Sequence, residues 1–326
     1  MRKYIILVLL LLTTCNASKF KKSRLLLPVR LNSKNYYGTF KNKIVLNVRQ
    51  YDRIGRFFEG LALVVKDNKY GFISRKGREL IPLKYSFAMP YSDGVAAVRK
   101  GNTRGYIDKQ GEIIFFHKYK SADSFYEGLA VISKNQTLTG ERYGFINKKG
   151  KIEIPTMYEN ASSFSEGLAG VKIKGKWGFI NKSGKTVINA VYHSVGHFSS
   201  GLAPVLIGGK FVKNRYPYDK VLIGGKWGFI NKKGRLIIQP KYSNARNSMF
   251  RFGLAPVEMG GIMRNREGLY IKIAGKIGYI NIKGRFVIEP KFRYAENFLK
   301  GVAKVYINKK MGYINVKSEW VWEPTK

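Results

Sequence analysis

Phe164-Ser165-Glu166-Gly167-Leu168-Ala169, then Lys176-Trp177-Gly178-Phe179-Ile180-Asn181, then Gly184, Ile188 and Tyr192 form the sharpest copy of a pattern that fills most of this 326-residue chain. Its opening, aromatic-x-x-Gly-Leu/Val-Ala, recurs at Gly60, Gly94, Gly128, Gly167, Gly201, Gly253 and Gly301. Its second landmark, x-Gly-aromatic-Ile, recurs at Gly71, Gly105, Gly144, Gly178, Gly228, Gly278 and Gly312. Seven in-phase copies with a basic spacing of 34 residues (Gly60 to Gly94) describe an array whose units bury their faces on neighbours. Arrays of this kind bind or scaffold more often than they catalyse.

Within one unit, Gly-Leu-Ala-x-Val opens a strand and Gly175-Lys176 turns the chain. Trp177 to Asn181 then alternates as a second strand, Trp177 and Phe179 on one side, Gly178 and Ile180 on the other. Asn181 to Lys185 is a loop in which Gly184 supplies a left-handed residue. Val187-Ile188 begins a third strand, ending near Ala190, where other copies carry Pro82, Pro155, Pro240, Pro290 and Pro324. The expectation is an all-β tandem array of three-stranded meanders. An open solenoid or superhelix is favoured over a closed propeller-like ring, because a propeller blade normally has four strands. The recurrent glycines, Gly71 to Gly312, read as structural: an aromatic such as Phe179 or Tyr192 is expected to pack over them.

The repeated residues, with Lys176-Trp177-Gly178 and Lys226-Trp227-Gly228 as their signature, resemble the WG-repeat (KWG) family of bacterial proteins. The likeness covers about residues 55–326, with Tyr, Arg, Ile or Met replacing Trp in the other copies. It implies an all-β repeat and a secreted or surface location, and little about activity. Residues 19–54 read as a degenerate capping repeat. There Leu26-Leu27-Pro28-Val29 matches Leu202-Ala203-Pro204-Val205, and Tyr37-Gly38-Thr39-Phe40 takes the Gly-aromatic place.

Residues 1–18 read as an export signal. Arg2 and Lys3 precede an apolar run, Ile5 to Leu12, too short to span a bilayer. Leu12-Thr13-Thr14-Cys15 looks like a lipobox with Cys15 as the lipidated residue, although Thr14 stands where a smaller residue is usual. Simple cleavage after Ala17 or Ser18 is the alternative. Sixty Lys and Arg against twenty Asp and Glu give a formal charge of +40. That excess suits an anionic partner such as phosphate, acidic glycan or lipopolysaccharide, or else it is a solvated Lys-rich surface. Basic charge without base-reading motifs argues against nucleic acid.

The gap between the two glycine landmarks is 11 residues in four copies but 16, 27 and 25 in the third, fifth and sixth. Extra length therefore enters one turn, on one side of the array, where binding surfaces usually form. The long hairpin insertions at 206–226 and 258–276 interleave cations with aromatics. Lys210, Phe211, Lys213, Arg215, Tyr216, Tyr218 and Lys220 lie in the first; Arg264, Arg266, Tyr270 and Lys272 lie in the second. Such a mixture suits an anionic ligand with flat or sugar-like parts, and undecorated surface arms are the alternative. Gly208-Gly209-Lys210 lacks the spacing and following helix of a phosphate loop. Lysines at the next turn (Lys76, Lys149, Lys182, Lys232, Lys233, Lys283) would line a second, positive edge, serving solubility or anionic lipid.

Catalytic chemistry is thin. The histidines are His117, His193 and His197, and Cys15 is the sole cysteine. Neither a catalytic set, a metal site nor a cofactor site is expected. Acids before the first landmark glycine (Glu59, Asp93, Glu127, Glu166) read as turn features. The sequence thus points to a non-enzymatic, exported cell-envelope scaffold for a protein or anionic glycan partner, membrane-bound if Cys15 is lipidated. A passive envelope protein or a carbohydrate-active enzyme are the rival readings.

Overall fold

The computed structural model describes residues 26–31, 34–39, 43–136, 140–214, 220–266, 269–308 and 310–323. The sequence unit around Trp177 becomes a sheet of four antiparallel strands in the order Asn160–Ala161, Leu168–Ile173, Lys176–Asn181 and Thr186–Tyr192. The meander read from the sequence supplies the last three. The first is a two-residue strand from the segment after the preceding unit, which the sequence presents only as a connection. Each repeat thus hands its tail to the next sheet.

Two local devices recur from sheet to sheet, the first of them in blades 2 and 4 to 7. In the outer pair, Phe179 faces Ile188 but Trp177 faces Tyr192, so two extra residues of the outer strand bow out opposite Gly178. A Cβ added at Gly71, Gly144, Gly228 or Gly278 would lie 2.5–2.6 Å from the carbonyl oxygen of Ile81, Ile154, Ile238 or Ile288. The landmark glycine is therefore required by an approaching backbone, and the expectation of an overlying ring is corrected. The prolines do not end pairing either. Pro82 and Pro240 sit in the bow, where no N–H is needed, and their strands pair on to Tyr85 and Tyr242. Past the inner of these strands, the side-chain oxygen of Asn181 accepts from the N–H of Ser183 and Lys185, while Gly184 closes the turn at φ +80. Asn147, Asn231, Asn281 and Asn315 repeat this turn.

Ten sheets form among the described residues; two are two-stranded arms, and the other eight are blades. Blade 1 holds residues 27–47, blades 2 to 7 follow in chain order, and blade 8 begins at Tyr294 and ends at Trp322. The two sequence landmarks meet between blades. The ring after each landmark glycine packs on the aromatic that opens the next copy. Ring centroids are 4.8 Å apart for Tyr106–Phe125 and 4.9 Å for both Phe145–Phe164 and Phe179–Phe198. All these rings are buried, each burial contributing about 1.5–3 kcal/mol and the pairing about 0.5–1.5 kcal/mol more.

The array closes. Leu27 and Val29 of blade 1 share one core with Val302, Tyr313, Val321 and Trp322 of blade 8. The Tyr313 hydroxyl donates to the Pro28 carbonyl at 2.8 Å, and the Trp322 ring fills the space that a side chain on Gly38 would need. The protein is an eight-bladed β-propeller ring, so the favoured open solenoid is overturned. Blade 1 seals against blade 8 where a cap with a free outer face was expected. The short inner strands are the physical reason, since they complete the wedge-shaped sheets that a ring needs.

Closure through Trp322 sets a test. Trp322→Ala should lower unfolding free energy by about 3–5 kcal/mol. Phe116→Ala, at a ring 62% exposed, should stay within about 0.5 kcal/mol. Urea unfolding followed by circular dichroism measures both.

Candidate functional site

Because consecutive strands alternate in direction, the turns between second and third strands of every blade lie on one face of the ring. The other two hairpin turns lie on the opposite face. The two long insertions therefore share a face. In blade 6, Lys210–Lys213 pairs with Lys220–Ile223; in blade 7, Ile262–Arg266 pairs with Leu269–Ile273. Both are separate two-stranded sheets that leave their blades through glycine pinches. At the first base, Gly209 has φ +85, and a Cβ there would meet the Gly225 nitrogen and Ile223 oxygen at 2.6 Å. Only glycine permits the strands to cross so closely. At the second, Gly275 approaches the carbonyl of Met259 too closely for any side chain.

The arms touch each other. The side-chain oxygen of Asn214, itself buried, accepts the Tyr270 N–H at 2.9 Å. Register then sorts the candidate residues by face. Lys213 stands opposite Lys220, on the same side as exposed Phe211, while Lys210 points to the other side with Val212. Arg264 and Arg266 share a side with Ile262, Ile271 and Ile273. Tyr270 and Lys272 lie on the reverse with Met263. The eight described candidates thus lie on different sides of the two arms. Lys272 has a structural partner: its ammonium lies 3.1 Å from the buried carboxylate of Glu258, which also accepts the Gly275 N–H at 2.9 Å. Arg215, Tyr216 and Tyr218, like Cys15 and the whole segment 1–18, lie outside the described residues.

Phe211 meets His193 edge-on, ring centroids 5.4 Å apart, and the Lys176 ammonium lies 3.2 Å from the same imidazole. Burial and that ammonium lower the His193 pKa. Burial lowers the His197 pKa too, against the opposing Ser163 carbonyl. Among the described residues, no group of three or more His, Cys, Asp or Glu gathers to hold a metal.

The opposite face carries an arrangement that sequence reasoning missed. Glu59, Asp93, Glu127 and Glu166 each take the left-handed place of a tight hairpin turn, φ 49–54. Each carboxylate accepts the N–H of the turn glycine one blade further on: Gly94, Gly128, Gly167 and Gly201. A lysine from that next blade joins three of them, with Lys109–Glu59 at 2.9 Å, Lys182–Glu127 at 3.3 Å and Lys232–Glu166 at 3.4 Å. The acids at 34- to 39-residue intervals were the available signal. The lysines assigned to a positive edge are in part these inter-blade clamps.

The geometry and the repeat together decide the family. The chain belongs to the WG containing repeat family. That family matches residues 36–70, 70–103, 105–137, 143–177, 177–211, 227–261 and 277–310. WG repeats in this chain run out of phase with the blades: residues 143–177 start in the third strand of blade 4 and end in the third strand of blade 5. No curated protein matches the sequence. Among solved structures, the chain is similar to an eukaryotic initiation factor, at 8% identity over 92% of this chain and 86% of that one, with TM-score 0.56. It is also similar to an uncharacterized protein from Listeria monocytogenes EGD-e, at 8% identity over 86% and 97%, with TM-score 0.51. At such identity these likenesses concern the fold alone.

The clamps of this WG-repeat ring carry a pH signature. Burial pushes the Glu59 carboxyl up, but the Lys109 ammonium and the Gly94 N–H outweigh it and hold the pKa below its ordinary value. A depressed carboxylate stabilises the fold above its unfolded pKa, and that contribution vanishes as pH falls through the folded one. Glu59→Gln should therefore be less stable than wild type at pH 7, the two curves converging in acid. Urea midpoints from pH 7 to pH 3 test this; parallel curves would remove the clamp's role.

Proposed function

We propose that this WG-repeat protein is a non-enzymatic scaffold of the cell envelope that binds an anionic partner through its paired arms. The observation that carries the reading is the side of the first arm that holds Lys213, Lys220 and Phe211 together. Like charges directly across a strand pair destabilise a hairpin. The Lys213–Lys220 pair is therefore a cost to the free arm that an anionic partner would remove. Phe211, 59% exposed beside that pair, supplies a ring face. Arg264 and Arg266, alternating along an adjacent exposed strand with Ile262, extend the basic and apolar surface across the second arm. An acidic glycan or the phosphorylated sugar region of a lipopolysaccharide presents the matching chemistry.

Export and lipid anchoring through Cys15 complete the proposal, resting on the segment 1–18. Mass spectrometry of the mature N-terminus tests that part, since a diacylglyceryl-modified Cys15 and an unmodified residue 18 or 19 differ in mass.

Partner binding is tested with heparin and lipopolysaccharide at increasing salt. Each near-surface cation contributes about 1 kcal/mol toward an anionic surface. Replacing Lys213, Lys220, Arg264 and Arg266 together by alanine should therefore weaken binding more than tenfold, as should raising the salt. Affinity unchanged by these substitutions, with the circular dichroism spectrum intact, would move binding away from the arms. Absence of binding in the unaltered protein would favour a passive envelope role.

A further inference from the structure

The outer strand of a sheet has an open edge, which pairs with another chain unless something blunts it. In blades 2 and 4 to 7 the two-residue bow does so. Blades 2 and 4 add Pro82 and Pro155, which follow Ile81 and Ile154, the partners of Phe72 and Phe145, and which have no N–H to offer. Blade 3 departs from this pattern. After a one-residue shift at its start, its outer strand Ile113–His117 runs straight, with Phe115 opposite Tyr106 and His117 opposite Arg104. Phe116, one residue after the partner of Tyr106, takes the place of the proline.

Asp108 donates its N–H to the Glu112 carbonyl, and Tyr106 and Arg104 turn their backbone groups the same way. Phe115 and His117 face them in register, which leaves the N–H and C=O of Phe116 on the side away from the sheet. Among the described residues no strand lies on that side. The run Ile113-Ile114-Phe115-Phe116 carries no charge, and the side chains of Ile114 and Phe116 are exposed. An uncharged, unbowed edge with a phenylalanine in the proline's place is open to an added strand.

The surroundings of this edge are basic. On the side of blade 4, a cleft of about 620 Å³ is lined by Lys118, Lys120, Lys134 and Lys149, and among the described residues by no acid. Glu141, outside that lining, holds Lys120 at 2.9 Å, and the Lys134 ammonium lies 5.4 Å from the centre of the Tyr119 ring. On the side of blade 2, a cleft of about 320 Å³ is lined by Lys84 and Lys100 against one acid, Glu112. Phe116 borders both clefts. A second copy of this chain at the edge would set lysine against lysine, whereas an acidic chain would set carboxylate against lysine.

We propose that the outer edge of blade 3 takes an extended acidic segment of a partner protein as a fifth strand. Backbone bonds at Phe116 hold the segment, its alternate apolar side chains rest on Ile114 and Phe116, and its carboxylates meet the lysines of the two clefts. This surface lies on a blade without an arm and stands without the arm reading.

Fluorescence anisotropy of the full chain with a labelled peptide of four Glu-Ile repeats tests it. That peptide should bind, and its Lys-Ile counterpart should not. N-methylation of the internal residues of the peptide should weaken binding at least tenfold. Phe116→Pro, which gives blade 3 the residue of blades 2 and 4, should do the same while the urea midpoint stays unchanged. So should Lys118→Glu combined with Lys149→Glu. Amide hydrogen exchange at Phe116 should slow when the peptide is bound. The variant with alanine at Lys213, Lys220, Arg264 and Arg266 should keep its peptide affinity, and Phe116→Pro should keep its heparin affinity, so failure of the arm proposal and failure here are distinguishable. No binding of the Glu-Ile peptide, equal binding of its N-methylated form, or affinity unchanged in either folded variant would overturn the proposal. So would a dimer in sedimentation that Phe116→Pro dissolves, because a second copy would then hold the edge.

Discussion

The packing of one aromatic ring on another across the successive blade boundaries from blade 1 to blade 8 is the contact on which the propeller depends. Phe179 on Phe198 and Phe145 on Phe164 repeat one distance, 4.9 Å, and Phe72 on Tyr91 differs by only 0.1 Å, at 4.8 Å. The pair between blades 6 and 7, Phe229 on Phe250, is wider at 5.4 Å, and a contact repeated with such similar geometry favours a similar rotation from each sheet to the next. The glycine beside each ring lets the outer strand bow inward without lifting that ring off its partner. Where the ring is tyrosine, its hydroxyl reaches a backbone carbonyl at the next blade, as Tyr106 does at Asp123 and Tyr279 at Glu296. Burial raises the pKa of these phenols, so each stays a neutral donor. The ring-to-ring contact therefore brings directional bonds with it, and the sheets cannot slide against one another.

How legible this was follows from what each element asks of its residues. Leu168–Ile173 and Lys176–Asn181 are long enough to show alternation, and the Asn-to-Gly turn between strands has its own residue preferences. The inner strands Asn160–Ala161 and Ser194–Val195 span two residues each and have no period to read. Without them a blade counts as three strands, which favours an open array. Closure is illegible for a second reason: it depends on a rotation summed over the chain, and no local residue encodes that sum. The glycine's neighbour was misjudged because a bow in the facing strand is a property of register. The arms show the same division. Their limits follow from spacing, but the side on which Lys210 or Tyr270 projects depends on the register that the glycine pinches set.

Charge in this protein is organised by position. The clamps use lysine where it can reach the preceding blade's carboxylate, and the arms use one lysine to hold a buried glutamate. Those partly exposed pairs are worth little one by one. Their effect on the net charge of +40 is more informative, because they remove acids from the pool available to the other cations. The surplus that remains on the arms has no internal counterpart of similar size. Net repulsion of that kind weakens a compact state, and the aromatic interfaces have to offset it.

Departures from the clamped turn cluster in one arc of the ring. Blades 2 to 5 each set an acid against the next blade's turn glycine, with a lysine joining three of the four, while blades 6 to 8 have Ser200, Phe252 and Lys300 in the acid's place. Blades 6 and 7 also carry the two arms. Nothing in propeller geometry requires these changes to coincide, since a ring built from the regular blade would close as well. The regular arc is clamped from blade to blade, while the irregular arc carries the arms with their exposed ring Phe211 and the facing Lys213 and Lys220. Fixed placement lowers the ordering cost of binding.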